Sequence, residues 1–287
     1  MTETDRTLSK NEAKIVLDLE WRAQKAVTAA EMRSILGASD GYARFVAHRL
    51  VKKGWLQRVR PGLFQLVPAE RGPEGVSDTN PLTIGPLLVD PYFFSFGTAC
   101  THYGFTEQVF AEVYVACRAP KRPVTVRGTR YVFAPVPERR FFGFDEVEVL
   151  GSKVHMATRE RTVLDALDRP RYAGGIREVS LIVGKAAGRL SWEKLLGLAK
   201  RWDESAGIQR LGYFLDLHHV ELPANVSKRL RALISPGSKV HLGSRTEWGT
   251  RGHLVQPWDI IENVPREQLL ENDRDRRRKR AFPKRPK

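Results

Sequence analysis

The sequence predicts an α+β protein: an N-terminal winged helix-turn-helix followed by a mixed α/β C-terminal domain. Three observations carry this expectation. Three helix-like segments and a hairpin-like pair of strands fall within residues 9–67. A stretch rich in Pro, Gly, Ser and Asp, Pro68 to Asn80, then breaks the pattern. Beyond it, strand-like runs between Val113 and Met156 give way to helical periodicity from Thr158 onward. The expected division is residues 1–68 as the winged helix, 69–80 as a linker, 81–270 as the α/β domain and 271–287 as a disordered basic tail.

The first helix opens at Ser9, which forms a capping box with Glu12. Ile15, Val16, Leu19, Ala23 and Ala26 then fall on one helical face, with Asp18 and Arg22 spaced to pair on the other. Thr28 and Glu31 repeat the capping signal for a short second helix carrying Met32, Ile35 and Leu36, which Gly37 stops. Ser39 opens a third helix running to about Lys53. Its larger apolar residues, Tyr42, Phe45, Val46, Leu50 and Val51, read as the buried stripe, leaving Ala43, Arg44, Ala47 and His48 outside it. Two β-type runs, Trp55–Val59 and Leu63–Val67, flank Arg60-Pro61-Gly62 and make a hairpin, the wing.

In the second part, Leu82–Val89 reads as helical and Ser95 as the cap of a short helix ending at Gly104. Strands are expected at Val113–Cys117, Val124–Arg127, Tyr131–Ala134, Val147–Leu150 and Val154–Met156. Thr158 caps a helix with Val163, Leu164 and Leu167 inward and an Arg161–Asp165 pair on its surface. Helices follow at about 176–187, 192–202, 208–220 and 224–234, with irregular or short-strand structure over 239–262.

Composition bounds the function. At 287 residues and 32.6 kDa the chain has room for about two domains. Its 41% hydrophobic and 28% charged content is ordinary for a globular protein. No apolar run reaches the ~18 residues of a membrane helix, and the start, Met1-Thr2-Glu3-Thr4-Asp5-Arg6, has no apolar signal region. Two cysteines, Cys100 and Cys117, give no disulfide framework. A reduced cytoplasmic setting is the simplest expectation.

Charge supplies the positive clue. A net +15 and a pI near 10.1 favour a polyanionic partner, chiefly nucleic acid. The excess is concentrated in two places. The segment from Arg274 to Lys287 holds nine basic residues against Asp275 alone. Residues 41–69 hold Arg44, Arg49, Lys52, Lys53, Arg58 and Arg60 and no acid.

A helix-turn-helix places the start of its second helix nearest the bases of the major groove. Here that start is Ser39, Asp40, Gly41, Ala43 and Arg44. Arg44 can donate two hydrogen bonds to a guanine edge. Arg49, Lys52 and Lys53 lie further along and suit phosphates, while Arg58 and Arg60 flank the wing tip. The competing reading is a solvated basic face, or a winged helix that binds protein. The tail reads equally as a nonspecific phosphate contact and as a solubilising end.

No catalytic signature stands out. The histidines His48, His102, His155, His218, His219, His241 and His253 have no zinc-type spacing. Cys100-Thr101-His102 lies in an apolar stretch where cysteine is usually a small hydrophobe. The acids Asp145, Glu146 and Glu148 alternate along an expected strand; they are the best candidates for a metal-dependent nuclease, against a surface ladder as the plainer reading. No cofactor or metal is expected.

The order of four motifs resembles the AbiEi family. They are Gly54-Trp55-Leu56-Gln57-Arg58-Val59-Arg60-Pro61-Gly62-Leu63-Phe64, then Ser95-Phe96-Gly97-Thr98-Ala99-Cys100-Thr101-His102-Tyr103-Gly104-Phe105-Thr106, then Val113-Tyr114-Val115-Ala116, then Glu160-Arg161-Thr162-Val163-Leu164-Asp165-Ala166-Leu167 before Gly174-Gly175. Such proteins are antitoxins and transcriptional autoregulators of type IV toxin–antitoxin systems in phage defence. The resemblance implies a winged helix that represses its own operon through inverted repeats in double-stranded DNA. It implies a C-terminal domain that counteracts an AbiEii-type, nucleotidyltransferase-like toxin without a required stable complex. It carries DNA contact onto Ser39, Arg44, Arg49, Arg58 and Arg60. The basic tail departs from the family pattern and leaves room for a second nucleic-acid contact. Two rivals stand beside this reading: a stand-alone transcription factor with a ligand-sensing or oligomerising C-terminal domain, and the nuclease.

Overall fold

Glu12 reaches back to the Ser9 amide at 2.7 Å and starts α1 (Lys10–Trp21). In this computed structural model residues 6–71, 80–149 and 152–271 are described. Most of the expected linker (72–79), Leu150 and nearly all of the expected basic tail (272–287) lie outside them.

The chain divides into two compact units, Met1–Asp90 with Thr125–Thr129, and Pro91–Val124 with Arg130–Lys287. In the first, α1 buries Ile15, Val16 and Leu19 and ends earlier than its apolar spacing suggests. Ala26 does not extend that helix. It begins a strand, β1 (Ala26–Thr28), that the sequence reading missed. The Thr28–Glu31 capping box then opens α2 (Ala29–Leu36), and Gly37 at φ +64° closes it. Ser39 caps α3 (Asp40–Lys52), accepting from the Tyr42 amide at 3.3 Å. The hairpin follows as β2 (Leu56–Arg60) and β3 (Leu63–Leu66). β3 lies between β1 and β2, both antiparallel to it, so the wing is joined to the entry of α2. α4 (Pro81–Leu88) completes this unit.

The second unit opens with β4 (Tyr92–Phe94), α5 (Phe96–His102) and β5 (Glu112–Cys117); the short β6 (Val124–Val126) that comes next in the chain falls mostly in the first unit, and the second resumes with β7 (Thr129–Pro135), β8 (Phe144–Val149) and β9 (Ser152–Ala157). Its mixed sheet runs β7-β5-β4-β9-β8, with β4 parallel to β9 and β5 parallel to β7. Helices α6 (Arg159–Asp168), α7 (Ile176–Ala186), α8 (Trp192–Trp202), α9 (Ser205–Leu217) and α10 (Ala224–Arg231) follow near their expected positions. The end of the described chain holds β10 (Val240–His241), α11 (Arg245–Trp248), β11 (His253–Val255), β12 (Ile260–Glu262) and α12 (Arg266–Leu270), the three strands forming a small sheet with β12 central. No helix among the described residues is long and apolar enough to cross a membrane.

The sequence put one apolar stripe and a surface ion pair on α6. That is overturned: every residue from Glu160 to Leu167 is buried. α6 packs against α5, α7, α8 and α9 at once, which leaves it no solvent face. Its polar side chains are therefore mostly matched internally, as burial demands, with Arg161 Nη2 left without a hydrogen bond. Glu160 accepts from the Ser191 amide at 2.9 Å, and Thr162 donates to the Thr158 carbonyl at 2.8 Å. Arg161 pairs with Asp165, donates to the carbonyls of Arg140 and Phe142, and lies 4.2 Å from the Trp202 ring centroid. Asp165 also accepts from Ser95 Oγ, so that serine is spent on α6 rather than on capping α5.

Candidate nucleic-acid interface

The helix-turn-helix is set by local chemistry. The Gly37 left-handed turn and the Ser39 cap fix the reversal between α2 and α3. The wing is pinned independently: the Ala29 amide donates to the Gly62 carbonyl at 2.9 Å, tying the hairpin tip to the start of α2. Gly62 takes φ +77°, which the tight Pro61-Gly62 turn requires.

α3 is rotated relative to the sequence expectation. Its buried residues are Ala43, Val46, Ala47 and Leu50, spaced i, i+3, i+4, i+7. Tyr42 and Phe45 instead remain 40% and 53% exposed. The two alanines are inside because α3 packs against α2, and small side chains permit that approach. Ala43, expected at the bases, belongs to the core. That spacing of small residues was the available signal, and the larger aromatics obscured it.

The outward side of α3 therefore carries Gly41, Arg44, Phe45, His48 and Lys52, all exposed. Between this side and the wing lies a cleft of about 450 Å³, lined by Arg44, His48 and Arg58 over an apolar floor that includes Phe64, Pro61 and Val51. Arg44 makes no hydrogen bond or ion pair with any described residue, and Arg58 rests 5.9 Å from the Phe64 ring centroid. Arg60 is exposed next to the wing tip, beyond a register shift between Arg58 and Arg60. Ser39 is exposed with its oxygen engaged in the cap. His48 was not anticipated, although it falls one turn after Arg44.

Two of the seven expected contact residues are tied down on the opposite flank. Glu12, 1% exposed, pairs with Arg49 Nε at 2.8 Å and with Lys53 Nζ at 2.7 Å. Lys53 also donates to the Thr7 carbonyl at 2.7 Å and is only 19% exposed. Burial opposes the Glu12 charge, but the Lys53 ammonium and the Ser9 amide outweigh it and bring its pKa down to about 2. Lys53 thus serves the packing of α1 on α3. Arg49 keeps partial exposure, with its guanidinium 5.8 Å from the Phe45 ring centroid. One acid lies at the helix start: Asp40, paired with Arg33 at 3.1 Å.

The other sequence candidates lie in the second unit. Cys100 is fully buried, and burial pushes its thiol pKa up, which opposes thiolate formation. Asp145, Glu146 and Glu148 are exposed along β8, and Glu146 pairs with Lys153 of β9 at 2.8 Å. His218 shares a 2.9 Å hydrogen bond with Ser180. Among the described residues no cluster of three or more His, Cys, Asp or Glu is arranged to hold a metal.

Residues 15–67 match the family described as transcriptional regulator, AbiEi antitoxin. The resemblance read from the sequence is borne out over that segment, which spans α1 through the wing. No curated protein matches the chain significantly. Among solved structures the chain is similar to the RV2827C protein from Mycobacterium tuberculosis, with a TM-score of 0.59 and 17% identity over 93% of this chain and 96% of that one. At that identity the likeness shows a shared fold.

Proposed function

We propose, from the AbiEi-type segment at residues 15–67, that this chain is a DNA-binding repressor of its own operon and an antitoxin. The single observation that carries the DNA-binding half is the cleft between α3 and the wing, where Arg44, His48 and Arg58 converge without an acidic residue in the lining. In this reading α3 enters the major groove of double-stranded DNA bearing inverted repeats. Arg44 reads a base edge, Lys52 and the Ser39 turn meet phosphates, and Arg58 and Arg60 follow the backbone beside the wing.

The same reading divides the labour along the chain. Residues 1–68 bind DNA, 69–80 link, and 81–270 counter a nucleotidyltransferase-like toxin in the bacterial cytoplasm, within a type IV phage-defence system. The basic tail at 271–287 adds a nonspecific nucleic-acid contact. The description of the matched family supports the antitoxin half. The protein acts as a regulator and not as an enzyme.

The test is a binding titration of the full chain against the duplex immediately upstream of its coding sequence and against an unrelated duplex of equal length, at two salt concentrations. Tighter binding to the upstream duplex, with affinity falling steeply as salt rises, is expected. Equal affinity for both sequences overturns specific repression.

A further inference from the structure

Phe45 is an apolar side chain on the outward face of α3, which otherwise presents Arg44, His48 and Lys52. At 100° per residue it falls within about 40° of the direction of Gly41, opposite the buried arc of Ala43, Val46, Ala47 and Leu50. It is more than half exposed. Its ring is not adrift: Tyr42 lies beside it with centroids 6.1 Å apart, and the Arg49 guanidinium stands 5.8 Å from its centre. Both neighbours are themselves anchored to α1. Asn11 donates to the Tyr42 hydroxyl at 2.8 Å, and Glu12 holds Arg49. Gly41, one turn earlier, has no side chain, and nothing lies within 4 Å of where a Cβ would be. The result is an apolar ring, fixed in place, beside open space, on the side of the helix that also presents Arg44 and Lys52.

The floor of the major groove displays hydrogen-bond donors and acceptors at every base pair and one apolar group, the 5-methyl of thymine. An apolar ring presented there has a single complementary target. We infer that Phe45 reads thymine methyl groups in the DNA and so makes this site selective for A·T pairs at the positions α3 faces. The inference rests on the DNA-binding reading of α3 and the wing, although Phe45 lies outside the cleft between them. Tyr42 and Arg49 act as positioning residues for the ring.

The experiment uses the full chain and the duplex upstream of its coding sequence, prepared once with thymidine and once with deoxyuridine throughout. Uracil pairs as thymine does and lacks only the methyl. The expected result is weaker binding of the deoxyuridine duplex by about fourfold for each methyl covered, as burial of one methyl group implies. Phe45→Ala and Phe45→Gln are expected to bind the two duplexes equally. If the unaltered chain binds both duplexes equally but both more tightly than unrelated DNA, the inference fails and the DNA-binding reading stands. If the Phe45 variants lose affinity on deoxyuridine DNA as much as the unaltered chain does, the methyls are read elsewhere and the inference fails. If the thymidine duplex binds no better than unrelated DNA, the repressor reading falls and takes the inference with it.

Discussion

Arg161 and Asp165 face each other at 2.9 Å one turn apart on α6, the arginine with no exposed surface. Such a spacing is ordinary on a helix surface, where it contributes a few tenths of a kcal/mol. In the interior the same pair becomes a structural centre. It joins Ser95, the Arg140 and Phe142 carbonyls and the Trp202 ring to one helix. Removing either charge strands the other away from water.

Asp165→Ala is therefore expected to destabilise the second unit by about 3–5 kcal/mol, because it leaves the Arg161 guanidinium buried and unpaired. Urea unfolding followed by tryptophan fluorescence, with Trp202 against this cluster, measures it. A loss near that of a surface pair would contradict the burial of Arg161.

Glu12 predicts an acid-labile first unit. Its folded pKa, near 2, lies below the ordinary carboxylate value of 4.5, so the folded state holds its proton less tightly than the unfolded chain. Its contribution is fully present above about pH 4.5 and is lost as pH falls toward 2. Unfolding of Glu12→Gln compared with the unaltered chain at pH 7 and pH 3 should show the difference between them shrinking at pH 3. A constant difference would refute the ion-pair account.

Arg44 and Lys53 carry the same charge and are predicted to behave oppositely. Arg44→Ala should lower affinity for the upstream duplex by about 1–3 kcal/mol and leave stability unchanged. Lys53→Ala should cost about 1–3 kcal/mol of stability through the lost bonds to Glu12 and Thr7, with DNA affinity nearly intact. Parallel titrations and thermal melts separate the two. Reversal of the pattern would move the DNA face to the α1 side of α3.

The proposed division of labour predicts that Arg44→Ala separates two phenotypes. Repression of a reporter driven by the upstream duplex should be lost, while co-expression should still protect cells from the neighbouring gene's product. Loss of both together would tie neutralisation to DNA binding.

Gly212 lies on α9 beneath the Trp258 ring, and an added Cβ would overlap it. Trp258 is also held by a 2.6 Å bond to Asp216 one turn along the same helix. Gly212→Ala is expected to destabilise by at least about 1–3 kcal/mol through overpacking. An unchanged melting temperature would mean the ring can move aside.

The parts of this protein legible in its sequence share one property: their chemistry is complete within a few residues. Thr28 with Glu31, the Gly37 turn, the Ser39 cap and the Pro61-Gly62 hairpin each bring their own hydrogen bonds or backbone preference, so the winged helix could be read segment by segment. Arg44 and Arg58 followed from position alone. The short strands β1 and β4 did not, because three residues form a strand only when distant partners, β3 for one and β5 and β9 for the other, supply the hydrogen bonds. Nor did the face that α3 buries. Hydrophobicity favoured Tyr42 and Phe45, while the closeness of α2 favoured Ala43 and Ala47, and packing geometry decided. The all-round burial of α6 and the capture of Lys53 by Glu12 belong to the same class. Sequence sets which elements form and how they begin and end. Only the assembled neighbours determine which charges are left to meet a ligand, because burial is a property of what surrounds a residue.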